Sequence, residues 1–208
     1  SSKIRFPLIF VGIFVAAILA AIYAATFGRM EKADAAESIK LYCDAFVRQD
    51  EEAQKRLISY GAPTDSFNMR VAFSNALQTS GAMLSPEEAA EIGDAYMESL
   101  RTATVETAVT EQGKGHAMVE VTVTRFNMIA AREKASALMR QRMKPDGTPE
   151  ELRRTAVTAT AEAYRELAPV GTVTFYVPVR YNEETRIWDP ADPMQFGFDL
   201  SKQTMGVE

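Results

Sequence analysis

The chain has 208 residues, 47% of them hydrophobic and 25% charged, with 23 Lys and Arg against 28 Asp and Glu and a formal net charge of −5. This is the composition of a folded protein, and its acidic balance excludes a basic nucleic-acid binder. One Cys and one His exclude an internal disulfide framework and a Cys/His zinc cage supplied by this chain alone.

Residues 1–6 form a short flank carrying Lys3 and Arg5. Pro7 to Phe27 then runs for 21 residues without a charge. As a helix this run reaches roughly 31 Å, against a hydrocarbon core of about 30 Å, so it is predicted to be a single transmembrane helix. Tyr23, Phe27, Arg29 and Lys32 supply interfacial anchors at its end. A cleaved signal peptide is the rival reading, with Ala33-Asp34-Ala35 as its cleavage site. The run exceeds an apolar region of about 7 to 15 residues, which favours an uncleaved anchor in the bilayer. Two basic residues stand on each side, so the positive-inside count ties. Lys3 and Arg5 are the only charges before the run ends. The remaining 181 residues thus carry 21 basic against 28 acidic side chains, a net charge of −7.

Residues 33–208 are expected to form one α+β domain. Ala36, Ile39, Leu41, Tyr42, Cys43, Phe46 and Val47 trace a helical stripe between Ala33 and Arg48. A second helix is predicted over Glu51 to Ile58, and another over Ser66 to Leu77. Ser85-Pro86-Glu87-Glu88 is a capping box with Pro at the first helical position, opening a helix with Ala89, Ile92, Tyr96 and Leu100 on one face. After Arg101 the period falls to two. Val105, Thr107 and Val109 lie on one strand face, and Gly113-Lys114-Gly115 turns into a return strand with Val119, Val121 and Val123 inward. Residues 127–168 revert to helical composition as an inserted helical hairpin, broken at Pro145-Asp146-Gly147 and restarted by a second capping box, Thr148-Pro149-Glu150-Glu151. Gly171 to Tyr181 alternates again with Val173, Phe175, Val177 and Val179 inward, and Pro178 marks an edge or a strand end. A turn at Asn182 leads to Arg186-Ile187-Trp188, and Phe196, Phe198 and Leu200 are read as continuing the strand alternation. The expected architecture is a helix-rich half followed by a curved antiparallel sheet interrupted by the helical hairpin.

That order, with an opening helix ending in AFVRQDEEAQKRL, a TVETAV...MVEVTVTRFN hairpin and a closing RIWDPADPMQF segment, resembles the nuclear transport factor two-like or cystatin-like superfamily. Within it the chain is similar to bacterial membrane-anchored and lipoprotein domains of unknown function. The resemblance implies strands curling over the opening helix and an anchored domain outside the cytoplasm. It also implies that Trp188 and the acidic segment after it end the fold without carrying chemistry. The inserted helices at 127–168 depart from the smaller members of the group.

Residues that bear chemistry are few. His116 lies in a turn, and Cys43 sits among Leu41, Phe46 and Val47 as a small buried hydrophobe. The glycines around Lys114 lack phosphate-loop spacing, and Asp189, Asp192 and Asp199 lack the spacing of a Ca²⁺ loop. Glu87, Glu88, Glu91, Asp94 and Glu98 are expected on a solvated helix face. The basic residues Arg132, Lys134, Arg140, Arg142 and Lys144, with Arg153 and Arg154, gather near the bend of the helical hairpin and are the candidate partner surface. Met128, Met139 and Met143 give its first helix an adaptable apolar side. Tyr42, Tyr96 and Phe175 are the candidate lining of a cone-shaped cavity.

These observations imply a non-catalytic, single-pass binding or assembly protein of the bacterial envelope with an extracytoplasmic domain, no cofactor, and an envelope protein or a second copy of itself as partner. Two alternatives are a subunit of a secretion or transfer channel, and a small-molecule binder or hydrolase using the cavity.

Overall fold

The computed structural model describes residues 5–27, 30–63, 77–78 and 83–206. The chain divides into two compact units, residues 1–32 and 33–208.

The first unit holds α1, Arg5–Phe27, a helix of 23 residues. Its described side chains, Gly12 to Tyr23, are all exposed. Those twelve residues rise about 18 Å. Among the described residues no helix is long and apolar enough to cross a membrane.

In the second unit, α2 (Ala35–Phe46) begins at Asp34, whose side chain accepts the Glu37 N–H at 2.8 Å. Both flanks of α2 are buried, including Ile39, Tyr42, Cys43 and Phe46. Asp50 caps α3 (Glu51–Ser59) in the same way, and α3 buries Ala53 and Leu57. The helix expected over Ser66 to Leu77 lies outside the described residues apart from Leu77. Next comes α4 (Pro86–Leu100), where Ser85 and Glu88 form both hydrogen bonds of a capping box. It buries Ala89, Ile92, Tyr96 and Leu100, the face that the spacing predicts.

Four antiparallel strands follow in the order β1-β2-β3-β4: β1 (Val105–Gln112), β2 (His116–Phe126), β3 (Pro169–Asn182) and β4 (Ile187–Pro190). Gly115, at φ +75°, makes the turn between β1 and β2. Val123 pairs with Val105 on one side and Val173 on the other, so an apolar row runs across three strands. Val109 departs from the pattern: it is 38% exposed, next to a register shift at Val109/Glu111. Pro178 sits where β4 ends, since β3 meets β4 only from Val179 onward. There its missing N–H leaves no rung of the ladder broken.

The sheet is curved. Thr107 Oγ1 on β1 donates to the Ala36 carbonyl at 2.7 Å, and the Trp188 N–H on β4 donates to Ser38 Oγ at 3.1 Å. In a flat sheet these edge strands would stand about 14 Å apart, whereas residues 36 and 38 differ by about 3 Å of helical rise. One turn of α2 therefore touches both edges, and the strands curl over it.

Between β2 and β3 the chain forms α5 (Met128–Arg142) and α6 (Pro149–Arg165), the inserted hairpin. Thr148 and Glu151 make the second capping box. Helix α6 packs against α4 as well as α5. At its carboxyl end, Ser99 Oγ of α4 lies 2.8 and 2.6 Å from the Tyr164 and Arg165 carbonyl oxygens, and the Tyr96 and Tyr164 rings meet edge-on at 6.3 Å.

One expectation is overturned. Phe196, Phe198 and Leu200 belong to a helix, α7 (Pro193–Met205), and not to a strand. Asp192 caps it through the Gln195 N–H at 3.0 Å, and Gly206 closes it at φ +64°. A strand would point all three side chains one way; the helix buries Phe196 and Leu200, one turn apart, and leaves Phe198 64% exposed.

Candidate functional site

The hairpin α5–α6 carries the residues singled out for contact. Asn127 caps α5 through the Ala130 N–H at 2.9 Å, and only Met128, Ala131 and Ala135 of that helix are buried. Ile129 stays 61% and Met143 42% exposed, while Met139 packs against the core. The basic residues separate into two sets. Arg142 pairs with Glu162 at 2.7 Å, and Lys134 pairs with Glu166, so these two tie α5 to α6 and its carboxyl end. Arg132, Arg140 and Lys144 are exposed, with no ion pair among the described residues. They are the cations of the hairpin left to meet something else.

At the bend lies a cavity of about 380 Å³ lined by Arg142, Lys144, Gly147, Leu152, Arg154 and Thr158 among others. Two of its cations are answered within the chain, Arg142 by Glu162 and Arg154 by Glu91 at 2.7 Å. The hollow therefore carries little net charge.

The acidic face of α4 is not merely solvated. Glu88 meets Arg153 at 3.5 Å, Glu91 meets Arg154, and Glu98 meets Arg165 at 3.2 Å. These pairs run between α4 and α6, and they are exposed enough to contribute only about 0 to 1 kcal/mol each. The hydrogen bond from the Ser85 backbone N–H, with the nearby charges of Arg153 and Arg154 adding, holds the Glu88 carboxyl below the usual range.

Tyr42, Tyr96 and Phe175 are core residues at 2%, 1% and 8% exposure, and none of them lines a described cavity. Burial pushes the Tyr42 phenol up, and its hydrogen bond to Asp189 adds to the shift. Burial likewise pushes Tyr96 up. Cys43 is fully buried and its thiol is also pushed up by burial, with the Asp44 charge adding, so a reactive thiolate is disfavoured at neutral pH. His116 is exposed, its Nδ1 3.2 Å from the Lys114 carbonyl oxygen. Its ring fills the space over Gly113, where a Cβ would come within 2.2 Å of Nε2.

The acidic residues after Trp188 hold the end of the fold. Asp189 accepts Tyr42 Oη at 2.7 Å and Asn182 Nδ2 at 2.8 Å, Asp192 caps α7, and Asp199 accepts from Gln195 at 2.7 Å. Trp188 is 2% exposed against Tyr181, and its Nε1 finds no acceptor among the described residues. No sequence signal links Tyr42 to Asp189, because the two lie 147 positions apart on different elements.

No family model and no curated protein matches this chain. A solved structure described as a "putative lipoprotein (ycdA)" from Bacillus subtilis subsp. subtilis str. 168 is similar to it, with 16% identity and a TM-score of 0.64. The match covers 87% of this chain and 58% of that one, so this chain spans a little over half the length of its neighbour. The likeness shows the α+β fold.

Proposed function

We propose that this protein is a single-pass, membrane-anchored binding or assembly protein of the bacterial envelope, with its α+β domain outside the cytoplasm and no catalytic role. The observation that carries the reading is the uncharged run from Pro7 to Phe27, held within the continuous helix α1 of 23 residues. The reading rests on the sequence of that run, whose 21 uncharged residues would rise about 31 Å as a helix against a hydrocarbon core of about 30 Å. The likeness to a protein described as a lipoprotein agrees with an envelope address. The buried Cys43, the exposed His116 and core positions for Tyr42, Tyr96 and Phe175 argue for binding over hydrolysis. The cystatin-like or nuclear transport factor two-like reading is retained on the sheet that curls over α2.

Within this reading the partner docks on the α5–α6 hairpin, where Arg132, Arg140 and Lys144 stand beside the exposed Ile129 and Met143. That is a surface suited to an acidic protein with an apolar spot. The test of address is a cysteine at the exposed Asp146 in the hairpin bend. A membrane-impermeant maleimide should label Asp146→Cys in intact cells once the outer barrier is made permeable. Labelling only after lysis of the inner membrane would place the domain in the cytoplasm and reject the proposal.

A further inference from the structure

Strand β3 is covered on its two sides to different extents. Along β2 it is paired from Pro169 to Arg180, but along β4 only from Val179 to Asn182. The backbone directions are fixed by two hydrogen bonds. The Tyr181 N–H donates to the Gly115 carbonyl on the β2 side at 3.0 Å, and the Pro178 carbonyl accepts the Ala191 N–H on the β4 side at 2.8 Å. Since the two sides alternate along a strand, Tyr176, Thr174 and Thr172 direct their N–H and C=O groups to the side that β4 does not reach. Those groups have no partner among the described residues, and all three residues are exposed.

Open edges are normally blunted by charge or irregularity. The other edge of this sheet follows that rule, for β1 carries Glu106 and Glu111 and a register shift between Val109 and Glu111. By contrast, β3 from Pro169 to Val179 reads PVGTVTFYVPV without one charge. Its open stretch is closed off at both ends. Pro178 has no N–H and its carbonyl is taken, while at the other end the register shifts opposite Thr124 and Phe126, with Gly171 at φ +118°. What remains is three outward residues, symmetric about Thr174.

We propose that this edge pairs with the same edge of a second copy of the chain, antiparallel and two-fold symmetric about Thr174. In that register Thr174 faces its own counterpart and Thr172 faces Tyr176 of the other copy. Each copy offers three N–H and three C=O groups, and the pairing satisfies all of them. Thr–Tyr cross-strand pairs are favourable and no charge is brought to the axis. The contact is isologous and closes at two copies, joining two four-stranded sheets into one. Beside the edge, the exposed Met194 and Phe198 of α7 flank hollows lined by Tyr176, Pro178, Asp192 and Gln195, so the second copy covers apolar surface as well as the backbone. The inference goes beyond the proposed function and uses none of the hairpin residues.

The test uses the full chain in its membrane and after detergent extraction. Residues facing each other in a hydrogen-bonded pair stand about 5.5 Å apart at Cα, within disulfide range. Copper-phenanthroline oxidation of Thr174→Cys should therefore yield a cross-linked dimer of the chain, whereas Thr110→Cys on the exposed part of β1 should not; the buried Cys43 does not compete. Thr174→Lys sets like charges on the axis and should halve the detergent-corrected mass from two chains to one, with an unchanged circular dichroism spectrum. The proposal is overturned by a wild-type mass of one chain, by cross-linking at 174 no greater than at 110, by cross-linking at 174 to a different protein, or by a dimer that survives Thr174→Lys. Co-purification through the hairpin and maleimide labelling at Asp146→Cys are separate readouts, so either idea can fail alone.

Discussion

The Tyr42 hydroxyl of α2 donates to Asp189 Oδ1 of β4 at 2.7 Å, while the other carboxylate oxygen accepts Asn182 Nδ2 at 2.8 Å. Next to it, the Trp188 N–H is capped by Ser38 Oγ of the same helix. The short strand β4 is thus fastened to α2 by two polar contacts, and the curl of the sheet depends on them. Tyr42→Phe leaves a half-buried carboxylate with one donor fewer. We expect a loss of about 1 to 3 kcal/mol in urea unfolding. A loss under about 0.5 kcal/mol would mean that water replaces the phenol and that packing alone holds β4.

The same region sets the alkaline limit of stability. Burial raises the pKa values of Cys43, Tyr42 and Tyr96, so the folded protein holds protons that the unfolded chain gives up, Cys near pH 8.5 and Tyr near pH 10. The stabilising contribution is complete below about pH 8.5 and is lost as pH rises beyond it, at about 1.4 kcal/mol per pH unit for each group once its unfolded form has titrated. Urea midpoints measured from pH 7 to 11 should fall first near 8.5 and more steeply past 10. In Cys43→Ala the first bend should vanish and the second remain. A flat profile to pH 11 would show that these groups reach water.

Helix α7 gives a direct contrast of faces. Leu200 is 0% exposed and Phe198 64%. Leu200→Ala should cost about 2 to 5 kcal/mol, and Phe198→Ala should stay within about 0.5 kcal/mol in thermal or urea unfolding of the monomeric Thr174→Lys background. Equal losses at the two sites would restore a strand.

That segment also separates what is legible in the sequence from what is not. Helix starts are local, so Ser85-Pro86 and Thr148-Pro149 could be read directly, and both boxes form. Strand alternation is equally local, and of the inward set, Val119, Val121, Val123, Phe175, Val177 and Val179 are buried while Val173 is half-buried. Asp192-Pro193-Met194-Gln195 bears the same helix-start signature, but the spacing of Phe196, Phe198 and Leu200 fits both a strand face and, for the outer two, one helical turn. The apolar alternation points to a strand, but the Asp192 cap decides for the helix. Contacts between distant elements could not be read at all. The acids of α4 look solvated when α4 is considered alone, and they find Arg153, Arg154 and Arg165 only because α6 lies beside them. For the same reason the basic cluster of the hairpin looked uniform, although the fold ties down Lys134 and Arg142 and leaves Arg132, Arg140 and Lys144 exposed.

This division within the cluster makes the partner surface testable. Arg132→Glu combined with Arg140→Glu reverses two exposed charges that pair with nothing described, so stability should change by no more than about 0.5 kcal/mol per site. Co-purification of an acidic partner should nevertheless be lost, because reversed charges at a docking surface set like against like. Arg142→Glu differs in kind: it confronts Glu162 at an existing 2.7 Å contact and should lower the melting temperature slightly through repulsion between α5 and α6. Adding Glu162→Arg to Arg142→Glu should recover only part of the melting temperature, since Lys134 and Arg165 also act on position 162. If the Arg132/Arg140 double variant keeps its co-purifying proteins while the melting temperature stays put, the hairpin is a structural cap and the partner lies elsewhere.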